Sequence, residues 1–358
     1  MDARPGRENG DGMAEAGTTR FWVGASTVGA LGSPARGIRS LDLDADGRWA
    51  LGDPIDVGPN PMFLAVSGAA GVLGIVHELA EGRISSWTFE GDGLSPFSRV
   101  GVASGDPCHL AFTESGELAF AANYSGHRVT VHPLAPDASA DSVLEAEFSG
   151  TGPNLDRQTG SHPHQVVLDH ERDRLLVPDL GADRIRIVGL GMLPEALEHD
   201  EHADIVIHPG AGPRHLVVSG GLAVTANELD RTASVIDLVE GRELAWFPIG
   251  PDTETRGLGC SAIRLTRGGI VLIGDRDADA LRGLRLDVEA RTLELVATVA
   301  TGGRHPRDLE LSRDERFALV ADQGSDSIAI VALDGEGVPL GLVDTVATPA
   351  PACLARVS

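Results

Sequence analysis

A chain of 358 residues with 53 acidic and 29 basic side chains, a net charge of −24 and a pI near 4.7 repels phosphate backbones, which excludes nucleic acid as a natural partner. Every basic residue is arginine, so a lysine Schiff base or lysine nucleophile is excluded as well. No stretch is long and apolar enough to span a membrane, and the 45 glycines and 21 prolines suit a fold with many tight turns.

Residues 1–17 are polar and Gly-rich and lack the apolar core of a signal peptide. They are expected to form a disordered tail before a single domain over 18–358, in a soluble cytoplasmic protein. Residues 21–26 form an isolated apolar strand pattern. From Pro61 onward one pattern recurs, with openings at Pro61, Pro107, Pro163, Pro213, Cys260, Pro306 and Pro351, spaced by 46, 56, 50, 47, 46 and 45 residues. Each copy runs through a short apolar strand, turns at Gly or Asp, and ends in a second strand closing on Asn or Asp. Residues 107–112 lead through Ser115-Gly116 to Asn123, and 306–311 lead through Asp314-Glu315 to Asp322. A third alternating strand follows, at 129–132 and 328–331, and a variable fourth fills the remainder.

Four strands at this period predict an all-β fold, a seven-bladed β-propeller with four antiparallel strands per blade. The last copy, from Pro351, holds only a first strand. It is expected to pair with residues 21–26, closing the ring and removing its open edges. Cys108, Cys260 and Cys353 stand near the starts of three separate copies, which makes them apolar fillers rather than a disulfide framework.

In such a blade the start of strand one and the end of strand two emerge on one face, so both sets of residues converge on one mouth. The opening set contains Cys108, His109, His162, His164, Arg214, His215, Ser261 and Arg307. The closing set contains His77-Glu78, Asn123-Tyr124, Asp179, Asn227-Glu228, Asp275-Arg276 and Asp322-Gln323. Its Asn and Asp residues are expected to be turn formers. Tyr124 is expected to pack with its hydroxyl tethered, and His109 and His215 to be structural histidines with satisfied rings. His164, Arg214, Glu228 and Arg276 are stronger candidates for chemistry, because burying such groups costs several kcal/mol unless a partner or ligand compensates.

His162 and His164 could face one side of a strand, but no third ligand follows at a telling spacing, so no metal is expected. The Gly-rich segments 150–152 and 210–212 lack a following helix, so no nucleotide cofactor is expected. The long interval before Pro163 contains 152–158, a lid or wall in which Arg157 and Gln158 either order the loop or touch ligand. The acidic segment 194–204 is expected to be a solvated outer excursion.

The motifs 152–154 with Arg157-Gln158, His162-Pro163-His164, 177–184, 212–216, Asn227-Glu228, and 107–109 with Asn123-Tyr124 together resemble the lactonase family of seven-bladed propellers. Its members include bacterial 6-phosphogluconolactonases and fungal carboxymuconate cycloisomerases. The resemblance covers nearly everything after the tail. It implies a site of one His, two Arg and one Glu, which by motif are His164, Arg214, Arg276 and Glu228. His109, Tyr124, Arg157, His162, His215 and Arg307 are expected around the substrate.

The implied partner is a small anionic lactone, and the implied reaction is hydrolysis of a sugar lactone, foremost 6-phosphogluconolactone. A cycloisomerase or lactonase acting on a carboxylated lactone and a non-catalytic binding scaffold are the alternatives. Such hydrolysis needs a base, open here between His164 and Glu228, with Arg214 and Arg276 to stabilise the oxyanion and grip an anionic tail. The chain departs from the family pattern at Ala262, where members usually place Glu, and in the acidic turn containing Asp277 and Asp279.

Overall fold

Alternation of apolar residues with a two-residue period drives each repeat into a small antiparallel sheet. The structure, a computed structural model, describes residues 17–28, 31–90, 93–101, 105–134, 144–251 and 256–357. All but Gly17 of the expected tail lies outside them. The described residues form seven sheets, six of four strands and one with an added short strand. We number the blades from the repeat at Pro61, so that blades 1 to 6 open at Pro61, Pro107, Pro163, Pro213, Cys260 and Pro306. Blade 7 is composite.

In blade 7 the strand Pro351–Arg356 pairs with Thr19–Ala25, aligning Phe21 with Arg356 and Val23 with Leu354. Phe21, Leu41 and Leu354 of this blade pack on Leu319, Ile328 and Ile330 of blade 6. Burial of each such side chain contributes about 1.5–3 kcal/mol, so closure is a core interface rather than a loose tether. Gly24 permits the approach to blade 1, because a Cβ there would stand 2.8 Å from the Pro61 carbonyl oxygen.

Opening and closing residues pair directly: Pro61 with His77, Pro107 with Asn123, Pro163 with Asp179, Pro213 with Asn227, Cys260 with Asp275 and Pro306 with Asp322. Just after the opening the register slips in blades 1, 2, 4, 5, 6 and 7. The slip leaves Met62, Cys108, Arg214, Arg307 and Ala352 out of register. Such bulges re-aim side chains. These five residues border one axial cavity together with His164 of blade 3.

Two sequence expectations hold only in part. Segment 194–204 is largely exposed, as expected of a solvated excursion, but it is not detached, because Glu198–His199 and, just beyond it, Ile205–Val206 pair with the third strand of blade 3. Asp204 beside them is buried and accepts from Arg186 at 2.8 Å and from the Ile187 amide. The closing Asn and Asp residues make the expected turn contacts in part, with Asp179 accepting from the Gly181 amide and Asp275 from the Asp277 amide, but they also reach further. Asn123, Asp179, Asn227, Asp275 and Asp322 are fully buried. Four of them reach the third strand, through Asn123 to Thr130, Asn227 to Ser234, Arg186 to Asp179 and Arg282 to Asp275. The three cysteines are free and buried, as expected.

Candidate active site

Glu228 is placed from both sides of its backbone. Its amide donates to the Gly212 carbonyl at 2.8 Å, and Asn227 before it is pinned by Thr232 and Ser234. Blade 5 presses on the same segment, since a Cβ on Gly259 (φ +72°) would fall within 1.7 Å of the Glu228 carbonyl oxygen. Only glycine fits there. The Cys260 thiol donates to the Asn227 carbonyl at 2.8 Å.

Three guanidinium groups meet the buried Glu228 carboxylate. Arg214 and Arg276 approach Oε2 at 2.7 and 2.9 Å, and Arg157 approaches Oε1 at 2.7 Å. Burial works to raise the Glu228 pKa, but Arg276, Arg214 and Arg157 prevail and hold it well below the ordinary carboxylate range. Arg276 is fixed further by donating to the Cys260 carbonyl at 2.9 Å.

Arg214 Nη1 also donates to His164 Nε2 at 2.5 Å. A guanidinium cannot accept, so the ring proton of His164 resides on Nδ1, which faces the Cys108 sulfur at 3.8 Å. Burial, with Arg214 adding to it, keeps the imidazole pKa well below 6.5 and the ring neutral. Tyr124 meets His164 edge-on at 5.5 Å and stacks on His162 at 4.2 Å.

The loop over 152–158 resolves the question of Arg157 and Gln158 by giving each one role. Gln158 is buried, accepts from the Asn154 amide, and donates to the Leu180 carbonyl and to Asp183. It orders the loop. Arg157 extends from the ordered loop to Glu228 and to the Tyr124 hydroxyl, 3.4 Å away.

His109 and His215 stand one residue beyond Cys108 and Arg214 and are buried, with their rings edge to face at 5.5 Å. His215 in turn meets His164 at 5.4 Å. The expectation that both are satisfied histidines fails at His215, whose two ring nitrogens lack hydrogen-bond partners. Arg307 lies across the axial cavity from Arg214 and donates to Glu78 at 2.9 Å. Ser261 turns away, bonded to the Gly274 and Pro306 carbonyls, and Ala262 is buried in the apolar core between blades 5 and 6.

Two further residues gained no role from the sequence. Glu78 follows its closing residue as Glu228 follows Asn227, so the repeat position itself was the available signal. His305 precedes Pro306, and its pKa is lowered to about 4 by burial and then by the positive charges of Arg276, Arg307 and Arg214. Among the described residues no three His, Cys, Asp or Glu side chains are grouped to hold a metal.

A family model described as a lactonase, 7-bladed beta-propeller, matches residues 20–356, nearly the whole ring. The chain belongs to this lactonase family. The 6-phosphogluconolactonase of Bacillus subtilis (strain 168) is 28% identical over 316 residues, covering 84% of this chain and 87% of that protein. The 6-phosphogluconolactonase of Serratia proteamaculans (strain 568) is 28% identical over 243 residues, covering 66% and 70%. Among solved structures, the periplasmic gluconolactonase of Pseudomonas aeruginosa superposes with a TM-score of 0.85 at 27% identity, covering 95% of this chain and 99% of that one. In this lactonase-family ring His164, Arg157, Arg214, Arg276 and Glu228 stand in mutual contact.

Proposed function

We propose that the protein hydrolyses a sugar lactone, with 6-phosphogluconolactone as its substrate. The observation that carries this reading is the convergence of Arg157, Arg214 and Arg276 on Glu228 beside a neutral His164. As water adds to a lactone carbonyl, negative charge develops on the carbonyl oxygen. Donors fixed before the reaction stabilise that charge without reorganising, and loss of one costs about 10²–10³ in rate. Arg214 retains a buried Nε–H with no protein partner, which supports its assignment to the oxyanion.

Glu228 has both oxygens engaged and a depressed pKa, which supports a role in holding the guanidinium groups rather than in taking a proton. His164 is the base in this reading. Water transfers a proton to His164 Nε2 as its oxygen bonds to the carbonyl carbon, and the Arg214 N–H turns from that nitrogen to the oxyanion. The imidazolium then returns the proton to the ring oxygen as the carbon–oxygen bond breaks, leaving the open hydroxy acid. A cytoplasmic setting belongs to the same reading and is supported by three free cysteines. No helix among the described residues is long and apolar enough to cross a membrane.

A pH-indicator assay over phosphorylated and unphosphorylated gluconolactones and muconolactones, with and without chelator, tests the proposal. Acceleration of sugar-lactone opening above the spontaneous rate is expected. Rates equal to the spontaneous ones for every sugar lactone would overturn it.

A further inference from the structure

The mouth contains two arginine–glutamate pairs built from the same two repeat positions. Arg214 and Arg307 are the bulged residues of blades 4 and 6, and Glu228 and Glu78 follow the closing residues of blades 4 and 1. Their surroundings differ. Glu228 receives three guanidinium groups and is buried, whereas Glu78 receives one, and the Glu78 and Arg307 side chains retain 28% and 20% of their exposure. Arg307 reaches Glu78 across blade 7, whose bulged residue is the small Ala352.

Among the described residues Arg307 engages Glu78 alone, through Nη2, and its side chain borders the cavity it shares with Arg214 and His164. The buried Arg214 Nε–H, without a partner, belongs to the same group of donors. Four guanidinium groups at the mouth, those of Arg157, Arg214, Arg276 and Arg307, meet the carboxylates of Glu228 and Glu78, and Asp308 lines the same cavity. Asp106 stands at the rim, held by Ser125, and Asp308 accepts from the Leu354 amide through Oδ2, while its Oδ1 lies 3.7 Å from Arg264 without a well-formed hydrogen bond. A phosphate monoester carries about −1.5 to −2 charges at pH 7 and offers three acceptor oxygens, so it suits a group of several guanidinium donors. A hydroxyl carries no charge and a carboxylate only one.

We propose that Arg307 is the subsite for the phosphate tail of the lactone and that Glu78 is its displaceable counter-ion, a specificity-determining residue. This rests on the lactone-hydrolysis reading given above. Glu78 holds Arg307 in place when no tail is bound. It also imposes a competition that a dianionic, multidentate tail wins and a hydroxyl loses, so discrimination comes from an opposing charge as well as from an attractive one.

The test uses the full chain with Glu78→Gln, Arg307→Ala and Arg307→Gln, each checked for folding by thermal melt. Inorganic phosphate binding is measured by calorimetry, and kcat/KM is compared for 6-phosphogluconolactone and gluconolactone. Glu78→Gln is expected to tighten phosphate about tenfold, removing one like charge at hydrogen-bonding range. The arginine variants are expected to lose phosphate binding, and their preference for the phosphorylated lactone is expected to fall by about 10². Phosphate binding equal to that of the parent protein in Arg307→Gln, or no tighter in Glu78→Gln, would overturn the subsite. A protein that opens no lactone yet shows these phosphate shifts refutes the hydrolysis reading and leaves the subsite standing.

Discussion

Asp322 stands seven residues before Ala329, the spacing at which Asp179 and Asp275 find Arg186 and Arg282. The blades share a rule: a closing carboxylate is met by arginine, and a closing amide is met by a hydroxyl, as in Asn123 with Thr130 and Asn227 with Ser234. Blade 6 breaks that rule. Neither Asp322 oxygen has a well-formed hydrogen bond, and burial pushes its pKa up to about 7, opposed by the Thr301 hydroxyl and reinforced by Asp279.

The consequence is a pH-dependent weakness. With a folded pKa near 7 and a reference value of 3.8, the folded state retains a proton that the unfolded chain releases, so stability falls as pH rises from about 4 to about 7. Asp322→Asn with Ala329→Ser rebuilds the amide–hydroxyl pair of blade 4. This double variant is expected to be more stable at pH 8 by a few kcal/mol, because each pH unit separating the folded and unfolded values is worth about 1.36 kcal/mol, with the gain vanishing towards pH 4. Thermal melts across that range measure it, and a gain that does not vary with pH would contradict the assignment to Asp322 ionisation.

Glu228 is the counter-charge for three guanidinium groups, so its neutralisation should damage both function and fold. Glu228→Gln keeps the shape but leaves Arg157, Arg214 and Arg276 in mutual repulsion. A drop in kcat of at least about 10² is expected, with a stability loss of about 3–5 kcal/mol, as for other broken buried pairs. Lactone turnover and denaturant melts on the same preparation give both values. Full activity with unchanged stability would remove Glu228 from the centre of the site.

Most of the ring is legible in the chain because its repeat is local: opening residue, strand, turn and closing residue lie within about 16 residues, as from Pro107 to Asn123. The half-blade at Pro351 and the orphan strand near Phe21 identify each other by what each lacks. His164, Arg214, Glu228 and Arg276 are likewise legible as positions, since the pairing of opening with closing residues puts them on one face. Their chemistry is less so. The proton on His164 and the charge on Glu228 are set by neighbours from other blades, and the Glu78–Arg307 pair joins residues separated by 229 positions. The closing Asn and Asp residues illustrate a different limit, because local turn propensity outweighed a partner seven residues away on the next strand.

Arg157 and Gln158 separate contact from support. Arg157→Ala removes one donor from Glu228 and from the Tyr124 hydroxyl, whereas Gln158→Ala touches neither and releases the loop from Asn154, Leu180 and Asp183. Each is expected to lower kcat/KM by about tenfold, the scale of a lost hydrogen bond to a charged group. Only Gln158→Ala should speed amide exchange over 152–160. Equal protection in the two variants would show that Gln158 does not order the loop.

On the rim of blade 4, His208 lies between two carboxylates, with Nδ1 2.8 Å from Glu243 and Nε2 2.6 Å from Asp230, and its ring stacks on Trp246 at 4.3 Å. Burial acts to lower its pKa, but the hydrogen bonds to Asp230 and Glu243 outweigh that and raise it to about 9. A raised folded-state pKa means that the stabilisation is fully present below the reference value of 6.5 and is lost as pH rises through about 9. The melting temperature should therefore decline over that window. His208→Gln should flatten this part of the decline. Because Trp246 is the indole stacked on the ring, its fluorescence should change with a midpoint near 9, and Trp246→Phe should abolish that change while Trp22, Trp49 and Trp87 remain. A midpoint near 6.5 would show that the two carboxylates do not hold the proton.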